Sequence, residues 1–202
     1  MSTAPSPRIS IVIPVYNEAG ILRAAVEDLC GRLEPFGWSY ELILAENGST
    51  DRTVAIGREL AAERPEHVKI ISMGEPNYGR ALKEGILLAR GEIVVCEEID
   101  LCDTEFHRRA VEILETGEAD LVIGSKLLMG AEDERPLVRH AASVAYSGML
   151  RVLLGFRGTD THGLKAFRRS ALLDVVTACL VEKDVFASEF VIRADRGGVR
   201  TR

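Results

Sequence analysis

The sequence predicts an α/β fold built on a mostly parallel, open sheet flanked by helices. Two observations carry that prediction. Short apolar, β-branched runs recur at 8–15, 40–45, 68–72, 92–96 and 120–124, the signature of strands buried on both faces. Between them lie stretches whose apolar residues keep helical spacing, and regular alternation of strand and helix selects a parallel, layered sheet. A third observation points to the edge where a ligand would bind. The fourth run leads directly into Cys96-Glu97-Glu98-Ile99-Asp100-Leu101-Cys102-Asp103, an acidic cluster where a strand leaves the sheet. In open α/β sheets that edge carries ligands.

The elements follow in order. Pro14 cannot donate to a ladder, so the first strand ends near it. Asn17 is expected to cap a helix over 18–33, with Ile21, Leu22, Ala25, Val26 and Leu29 on one face. Pro35-Phe36-Gly37 ends it, and Trp38 anchors the chain reversal. After the second strand, Glu46-Asn47-Gly48-Ser49-Thr50-Asp51 forms a tight turn, with Ser49 or Thr50 expected to cap a helix through about residue 62. The third strand leads to Asn77-Tyr78-Gly79 and a helix whose Ala81, Gly85 and Ala89 recur every four residues, a packing face. Thr104 is expected to cap the helix after the acidic cluster, which carries Phe106, Ala110, Val111 and Leu114 inward. His67 and His107 read as surface residues. Alternation weakens after Gly124. Residues 136–156 form a helical pattern edged by Arg135, Arg139, His140, Arg151 and Arg157; 159–165 is a polar segment; helices follow over 170–178 and 185–196.

Composition narrows the function. The 202 residues fit one domain with a substantial core, and a net charge of −6 argues against a nucleic-acid surface. No run is apolar enough to span a bilayer, and residues 1–7 read as a disordered leader. The four cysteines are scattered without Cys-x-x-Cys pairs, which fits a reducing cytoplasm and gives no zinc signal.

Side chains two apart on an extended segment point the same way, so Glu98 and Asp100 are expected to converge. Two hard carboxylates beside a phosphate-bearing ligand suit Mg²⁺ or Mn²⁺. The alternative is a polar loop whose acidic residues favour the dipole of the next helix.

Several motifs fall in one order: Ile13-Pro14-Val15-Tyr16-Asn17-Glu18, Glu46-Asn47-Gly48-Ser49-Thr50-Asp51, Asn77-x-Gly79 with Gly85, Glu98-Ile99-Asp100-Leu101, the run 119–126 ending at Lys126, and Gly163-Leu164-Lys165-Ala166-Phe167-Arg168-Arg169. In this the chain resembles family 2 glycosyltransferases of the GT-A fold, and within them the dolichyl- and polyprenyl-phosphate sugar transferases. The resemblance implies one GT-A domain over 8–202. A Rossmann-like nucleotide-sugar half would cover about 8–124 and an acceptor half about 125–202, with the family continuing past Arg202. It implies that Pro14, Tyr16, Glu18, Ala45 and Asn47 line the nucleotide site. Glu98, Ile99 and Asp100 would hold the donor diphosphate through Mg²⁺ or Mn²⁺, and Lys126 would sit near the phosphates or sugar. Lys165 would bring positive charge to the reacting phosphates, and Asp160 would stand in the place of a family aspartate.

The reaction so implied is inverting transfer from a GDP- or UDP-linked sugar to a polyprenyl phosphate, in the cytoplasm at the inner face of a membrane. The 136–156 stretch reads either as a peripheral membrane contact or as a helix packed on the sheet. The rivals are a soluble enzyme with a hydroxyl acceptor, where Asp160 or Glu189 would serve as base, and a nucleotide-sugar-binding module without catalysis. Glu189 also reads as a helix ion pair with Arg193. The chain departs from the family pattern at Asn47 and Glu98, both aspartate in most members.

Overall fold

The computed structural model describes residues 6–124 and 164–202. The expectations placed on Lys126, Asp160, the 136–156 stretch and residues 1–5 fall outside them. Pro7, inside the expected leader, is buried.

Among the described residues six strands form one sheet in the order β3-β2-β1-β4-β6-β5. They are β1 (Ile9–Val15), β2 (Tyr40–Glu46), β3 (Val68–Ser72), β4 (Ile93–Cys96), β5 (Leu121–Gly124) and β6 (Leu164–Arg168). Strands β1, β2, β3 and β4 are mutually parallel, and β6 runs antiparallel between β4 and β5. Strand β6 was not expected: its run, Leu-Lys-Ala-Phe-Arg, is short and carries a charged residue at two of five positions. Burial of Lys165, Ala166 and Phe167 against both neighbours outweighs that local polarity.

Among the described residues six helices cover the sheet: α1 (Leu22–Leu33), α2 (Thr53–Glu63), α3 (Tyr78–Leu88), α4 (Thr104–Glu115), α5 (Arg169–Ala178) and α6 (Phe186–Arg196). Successive residues of a strand face opposite ways. Ile9, Ile11, Ile13 and Val15 of β1 therefore join Leu22, Val26, Leu29, Leu60, Val111 and Leu114 in one core. Val12 joins Leu82, Ile86, Phe186 and Phe190 in the other. Helices α1, α2 and α4 thus lie on one face, and α3, α5 and α6 on the other. Gly85 fixes how near α3 comes: a Cβ there would stand 2.4 Å from Val12 Cγ1, so the small-residue face is a packing face. All four cysteines are free and buried. Phe36 and Trp38 pack with ring centroids 4.5 Å apart and Arg8 lies over the indole, which makes Trp38 the expected anchor.

Strands β2 and β3 extend the sheet to one side of β1, and the chain then crosses back to lay β4 on the other. The β1–β4 boundary is therefore the topological switch point, where ligands bind at the carboxyl ends of strands. Pairing of β1 with β4 stops at Val12 and Cys96, while pairing with β2 continues to Val15. Pro14 lies just past the last β4 partner. At the opposite edge, buried Glu41 accepts bonds from the Ser10 hydroxyl, the Arg90 backbone and the Lys69 and Arg90 side chains, tying the starts of three strands together.

Candidate active site

Four loops and the first residues of β6 meet at the carboxyl edge. The loop after β1 and the loop after β2 are joined by hydrogen bonds. The backbone amides of Asn17, Glu18 and Ala19 donate to Ser49 Oγ, Thr53 Oγ1 and Asp51 Oδ2 at 2.9, 2.8 and 3.1 Å. In return, Thr50 N–H donates to Asn17 Oδ1 at 2.8 Å. These bonds explain two departures from expectation. Asn17 sits in the left-handed region (φ 55) with its oxygen taken by Thr50, so it caps nothing and α1 begins only at Leu22. The Ser49 hydroxyl is taken by Asn17 and α2 begins at Thr53, so neither Ser49 nor Thr50 caps it. Asp51 lies two residues before that helix and its carboxylate accepts from Thr53 N–H and Oγ1. Those bonds hold the Asp51 carboxyl below the usual carboxylate range.

Asn47 is buried directly after β2, and its Oδ1 accepts the backbone N–H of Asn77. Gly48 beside it has φ 72, and a Cβ would stand 2.4 Å from the Glu75 carbonyl carbon; only glycine fits. Asn77 joins three segments. Its Oδ1 caps α3 at Arg80 N–H (3.0 Å) and accepts Lys183 N–H (2.9 Å), and its Nδ2 donates to Glu182 (2.7 Å). Buried Glu46 accepts from Ser49 N–H and the Ser72 hydroxyl.

The acidic loop follows β4. It is not extended at Glu98 to Asp100: Glu98 C=O accepts from Leu101 N–H and Cys102 N–H at 3.1 and 3.2 Å, forming a turn. The period-two argument for convergence therefore fails. The two carboxylates are nonetheless close enough that Asp100 acts on Glu98 electrostatically. Although Glu98 is open to solvent, the surrounding loops take enough water from its carboxyl to push its pKa up. Asp100 and Glu97 push the same way, against a 3.0 Å hydrogen bond from the Tyr78 hydroxyl and the charge of Lys165. Lys165 is buried in β6 opposite Cys96, and burial pushes the Cys96 thiol up to about 12 despite that ammonium.

Among the expected site residues, Pro14, Asn47, Glu98, Asp100 and Lys165 share this edge. Tyr16 is 44% exposed beside it. Glu18 holds the loop junction through its backbone. The side chains of Ala45 and Ile99 are enclosed in the two cores, which leaves only their backbone for a ligand. Glu189 pairs with Arg193 at 2.7 Å and accepts the amides of Leu180 and Val181. Burial opposes its ionisation, yet these bonds hold its pKa low, which makes it a poor base. Asp103, not Thr104, caps α4, with Oδ1 accepting Glu105 N–H and Phe106 N–H at 3.0 Å each. His67 is exposed, as expected, and its ring stacks on Tyr40.

His107 is fully buried rather than on the surface, and its Nε2 lies 2.6 Å from Glu97 Oε2. Helical spacing held the signal: His107 falls three before Ala110 and four before Val111, on the inward face. Glu97 also went unassigned, because in an acidic run the one carboxylate that turns inward looks like the rest.

The residues fit a divalent ion. Two solvent-facing carboxylates with mutual repulsion provide the negative potential, and one or two carboxylates plus substrate phosphates are the usual Mg²⁺ site. Among the described residues no group of three or more ligating side chains is arranged around one point.

The chain is 32% identical over 203 residues to glycosyltransferase AglD of Haloferax volcanii, covering 98% of this chain and 32% of that protein. It is 28% identical over 210 residues to the dolichyl-phosphate beta-glucosyltransferase of Saccharomyces cerevisiae, covering 93% of this chain and 63% of that protein. The chain thus spans about a third of one of these relatives and less than two-thirds of the other. Among solved structures, glucosyl-3-phosphoglycerate synthase from Mycobacterium tuberculosis, in complex with Mn²⁺, UDP and glucosyl-3-phosphoglycerate, superposes with a TM-score of 0.57 at 25% identity. That match covers 82% of this chain and 58% of the synthase. The fold is of the GT-A type. Residues 10–176 match the sequence profile of glycosyl transferase family 2, and the chain belongs to that family.

Proposed function

We propose that the protein transfers a sugar, with inversion, from a nucleotide diphosphate sugar to a polyprenyl phosphate. The observation that carries this reading is the Glu98–Asp100 pair at the switch point, with the Lys165 ammonium near it, in a family 2 chain. Support for the acceptor comes from the yeast relative, whose name specifies dolichyl phosphate. Support for the ion and for a uridine donor comes from the Mn²⁺ and UDP in the mycobacterial synthase. A guanosine donor is the alternative.

Glu98 and Asp100 would hold Mg²⁺ or Mn²⁺ against the donor diphosphate, and the ion would offset charge on the leaving group. Pro14, Tyr16, Glu18 and Asn47 border the place of the nucleotide. The buried Lys165 adds fixed positive charge where the diphosphate departs, and it needs no reorganisation to do so. A phosphate monoester has a second pKa of about 6, so the acceptor oxygen is already anionic and needs no strong base. Among the described residues none with a raised pKa stands ready as that base except Glu98, which the ion would claim.

Catalysis on a lipid phosphate implies work at a membrane face. No described helix is long and apolar enough to cross one; the arginines at 135, 139, 151 and 157 are the proposed points of contact with its anionic headgroups. A hydroxyl acceptor is the second reading, favoured by the glucosyl-3-phosphoglycerate in the mycobacterial complex. An acceptor panel decides. With Mn²⁺ and a series of UDP- and GDP-sugars, the product should be a polyprenyl-phosphate sugar. Products formed only on hydroxyl acceptors would replace the lipid reading, and nucleotide-sugar binding without turnover on any acceptor would leave a binding module.

A further inference from the structure

The segment from Glu98 to Asp103 is fastened at both ends to one buried carboxylate. Glu97 is the first residue past β4, and its backbone N–H donates to Val12 C=O at 3.0 Å, which anchors it to β1. Its side chain turns inward with no exposure. Oε1 accepts Glu98 N–H at 3.0 Å, while Oε2 accepts Asp103 N–H at 3.1 Å and the Nε2–H of His107 at 2.6 Å. His107 is itself buried in α4, and its Nδ1 has no hydrogen-bond partner among the described residues. The imidazole therefore presents one polar contact, and that contact is Glu97. Inside the loop, Ile99 and Cys102 point into the core, and Cys102 adopts φ 42 while its carbonyl accepts the Arg32 guanidinium at 2.6 Å. The loop leaves three side chains facing outward, the carboxylates of Glu98 and Asp100 and the exposed Leu101.

A buried carboxylate beside two others is an expensive way to hold a loop. Like charges repel, and an ionised group out of water is tolerated only when fully bonded. An apolar residue at 97 with a polar cap elsewhere would close the same turn without that cost. The arrangement is understandable if the loop must hold two outward carboxylates in one geometry and add negative potential behind them.

We infer that Glu97 and His107 form a buried brace that positions Glu98 and Asp100 for a divalent cation, acting through the loop backbone without touching ion or substrate. The inference rests on the metal reading under Proposed function. Outer-shell partners of this kind orient ligands, and their loss costs about 10- to 100-fold in metal affinity.

The test compares the wild-type protein with H107L, H107Q and D100A. Mn²⁺ affinity is read from the electron paramagnetic resonance of free ion, at a temperature where each variant is folded by circular dichroism. UDP affinity without metal is read by calorimetry. H107L keeps bulk but loses the donor; its Mn²⁺ affinity should fall about 10- to 100-fold with metal-free UDP affinity unchanged. Gln places an N–H where Nε2 stood, so H107Q should recover most of the Mn²⁺ affinity. Turnover by H107L should return toward wild type when Mn²⁺ is raised to saturation. A merely structural histidine would lower the melting temperature and leave Mn²⁺ affinity of the folded protein intact; that result overturns the brace. If D100A loses Mn²⁺ affinity and H107L does not, the brace alone fails. If D100A binds Mn²⁺ as well as wild type, the metal reading fails and the brace with it. Should H107L not fold, E97Q, which keeps the volume and loses the charge, takes its place, and unchanged Mn²⁺ affinity there overturns the inference equally.

Discussion

Asn77→Ala should cost the protein about 2–3 kcal/mol, a magnitude that follows from the bonds lost. The Asn77 oxygen caps α3, and replacing such a cap by alanine costs about 1 kcal/mol. The same oxygen accepts Lys183 N–H at 2.9 Å, and the amide nitrogen donates to Glu182 at 2.7 Å; each adds about 1 kcal/mol or somewhat less where water can replace it. For a domain of this size 1 kcal/mol moves the melting temperature by about 2–4 °C, so the variant should melt about 4–12 °C lower. Asn77→Asp separates the contributions. It keeps both acceptor functions but loses the donor and sets a carboxylate against Glu182, so it should fall between wild type and alanine. Urea unfolding followed by circular dichroism gives the free energies, and calorimetry gives the melting shift. The Asn77 backbone N–H bond to Asn47 survives both changes, so nucleotide affinity should drop less than stability. An alanine variant within about 0.5 kcal/mol of wild type, the range of an ordinary surface change, would refute the view that Asn77 holds the three segments together.

The remaining predictions concern the site. Asn47→Asp keeps the acceptor that receives Asn77 N–H and changes only the outer atom, so calorimetry with UDP and GDP should show altered affinity or preference at little cost in stability; identical affinities would place Asn47 outside the nucleotide site. Glu98 has a folded pKa above its unfolded value, so the folded state holds the extra proton and stability should fall as pH rises from the ordinary carboxylate range through the raised value. Saturating Mn²⁺ should shrink that loss, and thermal melts across pH 4–8 that are identical with and without Mn²⁺ would count against Glu98 as a ligand. Replacing Arg139 and Arg151 together with Gln should weaken sedimentation with anionic lipid vesicles, as raised salt should; undiminished sedimentation would remove those arginines from any membrane contact.

Much of the fold was legible in the sequence because buried parallel strands announce themselves as apolar runs and the helices between them keep their period. The first five strands and the inward faces of α1, α3 and α4 follow from that. Strand β6 does not, since its neighbours on the sheet, not its own residues, determine that Lys165 and Arg168 lie in a strand. Caps were the other weakness. Asn17, Ser49 and Thr50 have the chemistry of helix caps, but a second loop competes for the same oxygen atoms, and local sequence is silent about that competitor. The site edge was legible through its order of motifs and its carboxylates. The way the loop achieves its shape was hidden: the turn at Ile99 and Asp100 and the inward Glu97–His107 pair depend on α4 packing back against β4, which only the folded chain displays.

The central claim is metal-assisted transfer to a lipid phosphate by the carboxylates of the switch-point loop. Its most direct measurement is the rate of sugar transfer from the preferred nucleotide sugar to a polyprenyl phosphate, for wild type and Asp100→Ala, each with Mn²⁺ and with a chelator. Wild type should transfer the sugar with Mn²⁺, the variant should lose at least about two orders of magnitude, and chelation should cost the wild type a comparable factor, the scale of removing one main electrostatic stabiliser. Undiminished transfer by Asp100→Ala, or a wild-type rate indifferent to the chelator, would contradict it.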